Sequence, residues 1–278
     1  MKLIDGKTVA KEMRQKIKEE VAGMEKKPGL AVVLVGKDPA SQVYVNLKDK
    51  RCKEIGMESY KHELPESASE KEVLALIDKL NKDDAVNGIL VQMPVPKQIS
   101  AQKVMEAVLP EKDVDGFHPM SIGRMVAGKP SLQACTPRGV MKLLAHYGID
   151  VAGKDVTVIG RSLIVGTPVA LMLMAKNATV TVCHSKTKDL KANTQHADII
   201  VTAVGKKRLV TADMVKEGAV VVDVGMIRDE GKLCGDVDFD NVKEKCSYIT
   251  PVPGGVGPMT IACLLENTML AYRMQNKT

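Results

Sequence analysis

Residues 155–168 read DVTVIGRSLIVGTP. Asp155–Ile159 is a short run of β-branched residues of the kind that fills a buried strand. Gly160 ends it, Gly166 opens a helix, and Pro168 falls in the first helical turn, where its missing N–H costs nothing. A glycine directly after a strand, with another at the start of a helix, lets a phosphate approach backbone N–H groups at the helix N-terminus. Ser162 stands where the G-x-G-x-x-G pattern has its second glycine, so the turn alone fits a ligand-free βα connection nearly as well. The end of the following strand, Thr179–Cys183, is more informative. An NAD-selective site carries Asp or Glu there to bond the ribose hydroxyls. This chain has Cys183-His184-Ser185-Lys186-Thr187, with Arg161 in the glycine turn. A hydroxyl and cations in place of a carboxylate suit a 2′-phosphate, and so NADP.

Outward from that turn the alternation continues. Strands are expected at 198–204, at 219–224 and near Tyr248, the first two closing on Val204-Gly205 and Val224-Gly225-Met226. In an open α/β sheet, ligands lie at the carboxyl ends of strands, so these glycines are candidates to pass close to a cofactor. Ordinary strand-end turns would explain either one alone. Upstream, 30–35 (LAVVLV), 58–63 and 88–92 read as strands. Helices are expected at 38–55 (stopped by Gly56), 69–80, 101–108 and 137–147, and a last one at 258–274. Residues 109–137, rich in Pro, Gly and charge, read as loops. The class is α/β: two units with parallel sheets and crossover helices.

Composition narrows the function. With no Trp and two Phe among 278 residues, the core must be aliphatic. The net charge of +6 is spread along the chain, without the basic stripe or stacking aromatics of a nucleic-acid binder. It is mild enough to be solvated surface, and it would also attract anionic small molecules. Six scattered cysteines without a C-x-x-C pair, and five scattered histidines without H-E-x-x-H, point to reduced thiols and no metal site. Residues 1–11 lack a signal core, and no apolar run approaches the ~20 residues of a membrane span. A cytoplasmic or similarly reducing compartment, with no membrane partner, is expected.

The first unit holds the reactive side chains. Tyr44 and Lys48, four apart on one helix, share a face. Gln92 ends a buried strand before a Pro-rich turn, and Asp113 and Asp115 flank Val114 in the loop region. Each has an innocent reading: a surface Tyr–Lys pair, a loop cap, a charged turn.

Six segments in one order carry a resemblance: VGKDPASQVYVNLKDKRCKEIG (35–56), GILVQMPVP (88–96), KDVDGFHP (112–119), CTPRGV (135–140), GRSLIVGTPVA (160–170) and TPVPGGVGPMT (250–260). Together they resemble the methylenetetrahydrofolate dehydrogenase/cyclohydrolase family nearly end to end. The resemblance implies an N-terminal α/β catalytic unit and a Rossmann-like NADP-binding domain with a cleft between them, the last helix returning to the first unit. The boundaries would then be 1–138 plus 261–278, and 139–260. It implies oxidation of 5,10-methylenetetrahydrofolate to the methenyl cation with NADP, then water addition to give 10-formyltetrahydrofolate.

By resemblance Lys48 is the proton acceptor beside the reacting carbon, because an ammonium there would oppose a forming cation. Gln92 is its hydrogen-bonding partner, Tyr44 packs on the folate ring, and Asp115 accepts from the pterin N–H groups. Pro253, Gly254 and Gly255 form a wall near substrate. Thr136, Gly160, Arg161, Ser162, Val165, Gly166, Ser185, Val204, Gly205, Gly225 and Met226 are assigned to the cofactor, Arg161 and Ser185 at the 2′-phosphate. Folate glutamate tails, single or several, would suit the basic balance, and the family dimerises through the cofactor unit. Three alternatives stay open at this stage: a dehydrogenase with little cyclohydrolase, an NADP dehydrogenase of another small acid such as shikimate, and a nucleotide sensor indifferent to folate.

Overall fold

The chain is described from a computed structural model covering residues 1–229 and 231–276, without the side chain of residue 40. A two-residue strand β1 (Lys2–Leu3) precedes α1 (Gly6–Ala22). There follow β2 (Gly29–Val35), α2 (Pro39–Glu54), β3 (Glu58–Leu64), α3 (Glu70–Asn81), β4 (Gly88–Val91) and α4 (Ala101–Ala107). Helix α2 starts where the sequence says it should. Asp38 accepts from Ser41 N at 2.7 Å, Pro39 occupies the first turn, and Gly56 beyond the end has φ +83°. Ser69 and Glu72 form a reciprocal capping box on α3.

The segment read as loops contains α5 (Pro119–Val126) and the start of α6 (Cys135–His146). Then come β5 (Asp155–Ile159), α7 (Gly166–Met174), β6 (Thr179–Cys183), α8 (Leu190–Thr194), β7 (Ile199–Thr202) and β8 (Val220–Asp223). A hairpin of β9 (Ile227–Asp229) and β10 (Lys232–Cys234) precedes α9 (Phe239–Val242), β11 (Tyr248–Ile249) and α10 (Val256–Asn276).

The chain divides into two compact units, Glu12–Cys135 with Ile261 onward, and Met1–Lys11 with Thr136–Thr260. In the first, β2 lies between β3 and β4 in a parallel sheet. Every residue of β2 is buried. Leu30, Val32 and Leu34 pack with residues of α1, α2 and α10 on one face, while Ala31, Val33 and Val35 pack with α3 and α4 on the other. That two-sided burial is why the run is uninterrupted rather than alternating.

In the second unit six parallel strands run in the order β1-β11-β8-β7-β5-β6. The chain moves from β5 to β6 on one side and then returns to β7 on the other. Their carboxyl ends therefore diverge at β5/β7, the switch point at which open α/β sheets bind ligands. The first residues depart from the expected boundary: Lys2 and Leu3 pair with Tyr248 and Ile249, so β1 closes the larger sheet.

Candidate active site

Lys48 sits on the inner side of α2 with Val45 and Cys52, both fully buried, and is itself only 8% exposed. A side chain held there must satisfy its amine locally. Its Nζ donates to Gln92 Oε1 at 3.0 Å. The Gln92 amide nitrogen donates to Met93 O at 2.7 Å, which turns Oε1 toward the lysine, and Gln92 N extends the β2–β4 pairing by bonding Val33 O at 2.8 Å. Tyr44, one turn before Lys48, is half-buried.

Asp115 lies in the loop 112–116 that follows α4. Burial raises its carboxyl above the usual range, and the Lys48 ammonium acts in the opposite sense. Asp113 and Asp115 line one pocket of this unit with Ile89, Val91, Met93, Val104 and Phe117. Tyr44, Lys48, Gln92 and Asp115 all belong to one unit.

Two residues given no role from the sequence hold this loop. Asp113, 5% exposed, accepts from Gly116 N at 3.2 Å and His118 N at 2.8 Å. Burial pushes its carboxyl up to about 7 against those N–H groups, with Asp115 adding to the rise. Asn267 on α10, fully buried, donates to Val114 O and Gln133 O, both at 2.8 Å. Gly116 has φ +75°, and a Cβ there would overlap the backbone of Gln133 and Ala134. Asp113 carried a signal, a carboxylate two residues before the candidate; Asn267 carried none.

The other unit gathers the remaining candidates. Gly160, φ +116°, ends β5, and Ser162 Oγ accepts from Val165 N and Gly166 N at 3.2 and 3.3 Å at the entry to α7. No Cβ fits at Gly166, where it would overlap the Gly160 carbonyl. Arg161, Ser162, Leu163 and Ile164 are exposed before that helix. At the end of β6, Ser185 is exposed, and Asp189 is occupied as the N-cap of α8 through Ala192 N. The end of β7 exposes Val204 and Gly205, the latter with φ +68°, and the end of β8 exposes Met226 beside buried Gly225.

A glycine-bounded helix N-terminus with a nearby cation and hydroxyl, and no free carboxylate at the β6 end, fits a dinucleotide bearing a 2′-phosphate. Thr136 meets Thr260, their hydroxyls 2.9 Å apart. Pro253, Gly254 and Gly255, expected beside substrate, lie in this second unit. Gly254 O accepts from Lys7 N at 3.2 Å, and Gly6 has no room for a Cβ against Gly255. Among the described residues no group of three His, Cys, Asp or Glu is placed to hold a metal ion.

Comparison with known proteins covers both units. Residues 4–115 match the catalytic domain of tetrahydrofolate dehydrogenase/cyclohydrolase, and residues 134–276 match its NAD(P)-binding domain. The bifunctional protein FolD of Geotalea uraniireducens is 56% identical over 276 residues, 98% of this chain and 99% of that protein. The solved bifunctional methylenetetrahydrofolate dehydrogenase/cyclohydrolase of Campylobacter jejuni is 51% identical, with a TM-score of 0.96 over 99% of each chain. The Trypanosoma brucei methylenetetrahydrofolate dehydrogenase-cyclohydrolase, solved with NADP and an inhibitor, is 37% identical with a TM-score of 0.95, over 99% of this chain and 98% of that one.

Proposed function

The chain belongs to the tetrahydrofolate dehydrogenase/cyclohydrolase family, and from that premise we propose how its residues share the work. The protein oxidises 5,10-methylenetetrahydrofolate to the methenyl form with NADP and hydrolyses that product to 10-formyltetrahydrofolate, a step of one-carbon metabolism. The observation that carries the division of labour is the contact of Lys48 Nζ with Gln92 Oε1 in the unit that also holds Asp115.

Asp115 accepts hydrogen bonds from the amino and ring N–H groups of the pterin, a match for a carboxylate lining a largely apolar pocket. Tyr44 packs on the ring system. Lys48, oriented by Gln92, accepts the proton released as water adds to the methenyl carbon, the work of a general base. Bound NADP⁺ supplies the hydride acceptor for the first reaction. Gly160, Ser162, Val165 and Gly166 would hold its phosphates at the start of α7, and Arg161 and Ser185 would hold the 2′-phosphate. Thr136, Val204, Gly205, Gly225 and Met226 line the rest of that site, and Pro253, Gly254 and Gly255 contribute backbone near the substrate.

The substrate extends to polyglutamylated folates, drawn by the chain's positive balance. Two copies associate through the cofactor unit. Strand β6 is one edge of its sheet, and Val182 on it is 40% exposed. The protein works in the cytoplasm: all six cysteines are free thiols, and no helix is long and apolar enough to cross a membrane among the described residues.

The test is a spectrophotometric assay with methylenetetrahydrofolate and either NADP⁺ or NAD⁺. Reduction much faster with NADP⁺, without methenyl product building up, supports both activities and the 2′-phosphate site. Methenyl accumulation keeps the dehydrogenase and removes Lys48 as an effective base. Equal rates with the two nucleotides remove Arg161 and Ser185 from their assignment.

A further inference from the structure

Two buried carboxylates lie beneath the loops that follow β7 and β8, and nothing in the reaction described above uses them. Asp223, at the end of β8, and Asp236, two residues after β10, are 3% and 0% exposed. Asp236 Oδ2 accepts from Thr202 Oγ1 at 2.9 Å and from Val204 N at 2.8 Å, while its Oδ1 accepts from Lys206 N at 2.7 Å. Asp223 Oδ1 accepts from Gly225 N at 2.8 Å and Asp236 N at 3.1 Å, and its Oδ2 accepts from Val237 N at 2.9 Å. Thr250 Oγ1 in turn accepts from Asp223 N at 2.7 Å. The connections form one chain: β8 holds residues 236–237, and Asp236 reaches across to hold residues 204–206 after β7.

The fit admits no spare atom. A Cβ on Gly225 would overlap the Asp236 carboxylate, and one on Gly235 would overlap the Asp223 carboxylate. The loops so held are short and otherwise exposed: Val204 is 40% exposed and Met226 44%. Placing two carboxylates together out of water is costly, and an apolar pair would fill the space at less expense. What an apolar pair could not do is accept five backbone N–H groups and a hydroxyl, which fixes the path of both loops at once. Met226 leads directly into the β9–β10 hairpin, and the hairpin's return delivers Asp236 under the other loop.

We infer that Asp236 and Asp223 are positioning residues of the NADP site, setting the loops 203–206 and 224–226 against the cofactor through their backbone amides. The inference rests on the assignment of Val204, Gly205, Gly225 and Met226 to the cofactor. Neither carboxylate touches the reacting atoms.

The test measures NADP binding by calorimetry and the two activities separately, in four full-length proteins: wild type, Asp236→Asn, Thr202→Val and Val204→Asp. An Asn amide group faces at least one of the same N–H donors with a donor of its own. Asp236→Asn is therefore expected to weaken NADP about tenfold or more, and Thr202→Val, which removes one donor of similar size, about threefold. Cyclohydrolase activity on preformed methenyltetrahydrofolate stays within about twofold, since Lys48 lies in the other unit. A reversibly unfolded fraction would raise the apparent Kd, so each variant is measured well below its melting transition, where it is fully folded. Both activities lowered together at unchanged Kd overturns the inference. If Asp236→Asn does not fold, Thr202→Val decides by the same criteria. Weakening by Val204→Asp with wild-type affinity in the other two variants overturns the positioning role and leaves the cofactor assignment standing. NADP binding indifferent to Val204→Asp removes the loop from the cofactor, and the inference with it.

Discussion

Where the substrate unit presents Lys48, Gln92 and Asp115 from a helix, a strand end and a loop, the cofactor unit presents glycine turns at the ends of β5, β7 and β8. On the proposed assignment, side-chain chemistry does the work in the first region: one amine, one amide and one carboxylate, the amine bonded to the amide. On the same assignment the second works mainly through backbone N–H, and Ser162, Asp223 and Asp236 accept from main-chain N–H groups beside it. A site made of side chains fails when one functional group is removed. A site made of backbone fails when an atom is added or a brace is lost.

The sharpest way to break that contrast is at Lys48. Lys48→Met keeps the buried length and removes the amine, and cyclohydrolase activity should fall by about 10³-fold or more while NADP affinity is unchanged. A variant that still hydrolyses methenyltetrahydrofolate would show that this site, too, works without its side chain.

Gly166→Ala is the counterpart, since adding one carbon against the Gly160 carbonyl forces the turn to move. NADP should bind about 100-fold more weakly, with hydrolysis of methenyltetrahydrofolate retained, as read by titration and by the decay of methenyl absorbance. Arg161→Ala probes the cofactor unit's own exception, an exposed side chain in a backbone site. NADP should weaken about tenfold and NAD hardly at all. Equal losses for the two nucleotides would place the 2′-phosphate elsewhere.

The smallest effect concerns Asp113. Its carboxyl is raised to about 7 in the folded protein, above the ~3.9 of an exposed Asp. A group raised on folding stabilises fully below its unfolded value, and that contribution is lost as pH rises through about 7. Asp223, raised by burial to about 6, acts in the same direction. Asp113→Asn is neutral at every pH. Its melting temperature relative to wild type should therefore be higher by a few degrees at pH 7.5 than at pH 5. A difference independent of pH would mean that Asp113 is ionised in the folded protein throughout that range.

The same contrast explains what the sequence could say. Strand β2 and the turn at Gly160 were legible because a two-sided apolar run and a strand-end glycine are local patterns. Lys48 and Gln92 were legible as residue types in suggestive places. Asp236 was not, because it braces residues 204–206 from about thirty positions further along the chain, across a hairpin that the sequence reading did not register. Helix α1 was missed although its signal was present: Val9, Met13, Ile17 and Val21 recur every fourth residue. Helix α5 is eight residues long with Gly123 inside it, too short and too interrupted for a period to emerge. Strand β1 has two residues, and only its partner β11, 246 positions away at Lys2↔Tyr248, makes it a strand.

Asn267 has a consequence for how the molecule is made. A chain emerging from the ribosome folds from its N-terminal end as it lengthens, and by the time residue 135 has appeared every side chain proposed to handle folate is already present. The loop bearing Asp115 nevertheless waits for α10, whose Asn267 fastens Val114 and Gln133. A nascent chain stalled shortly before Asn267 carries these side chains and lacks the fastening, so the proposed folate site is set only once α10 has joined its unit.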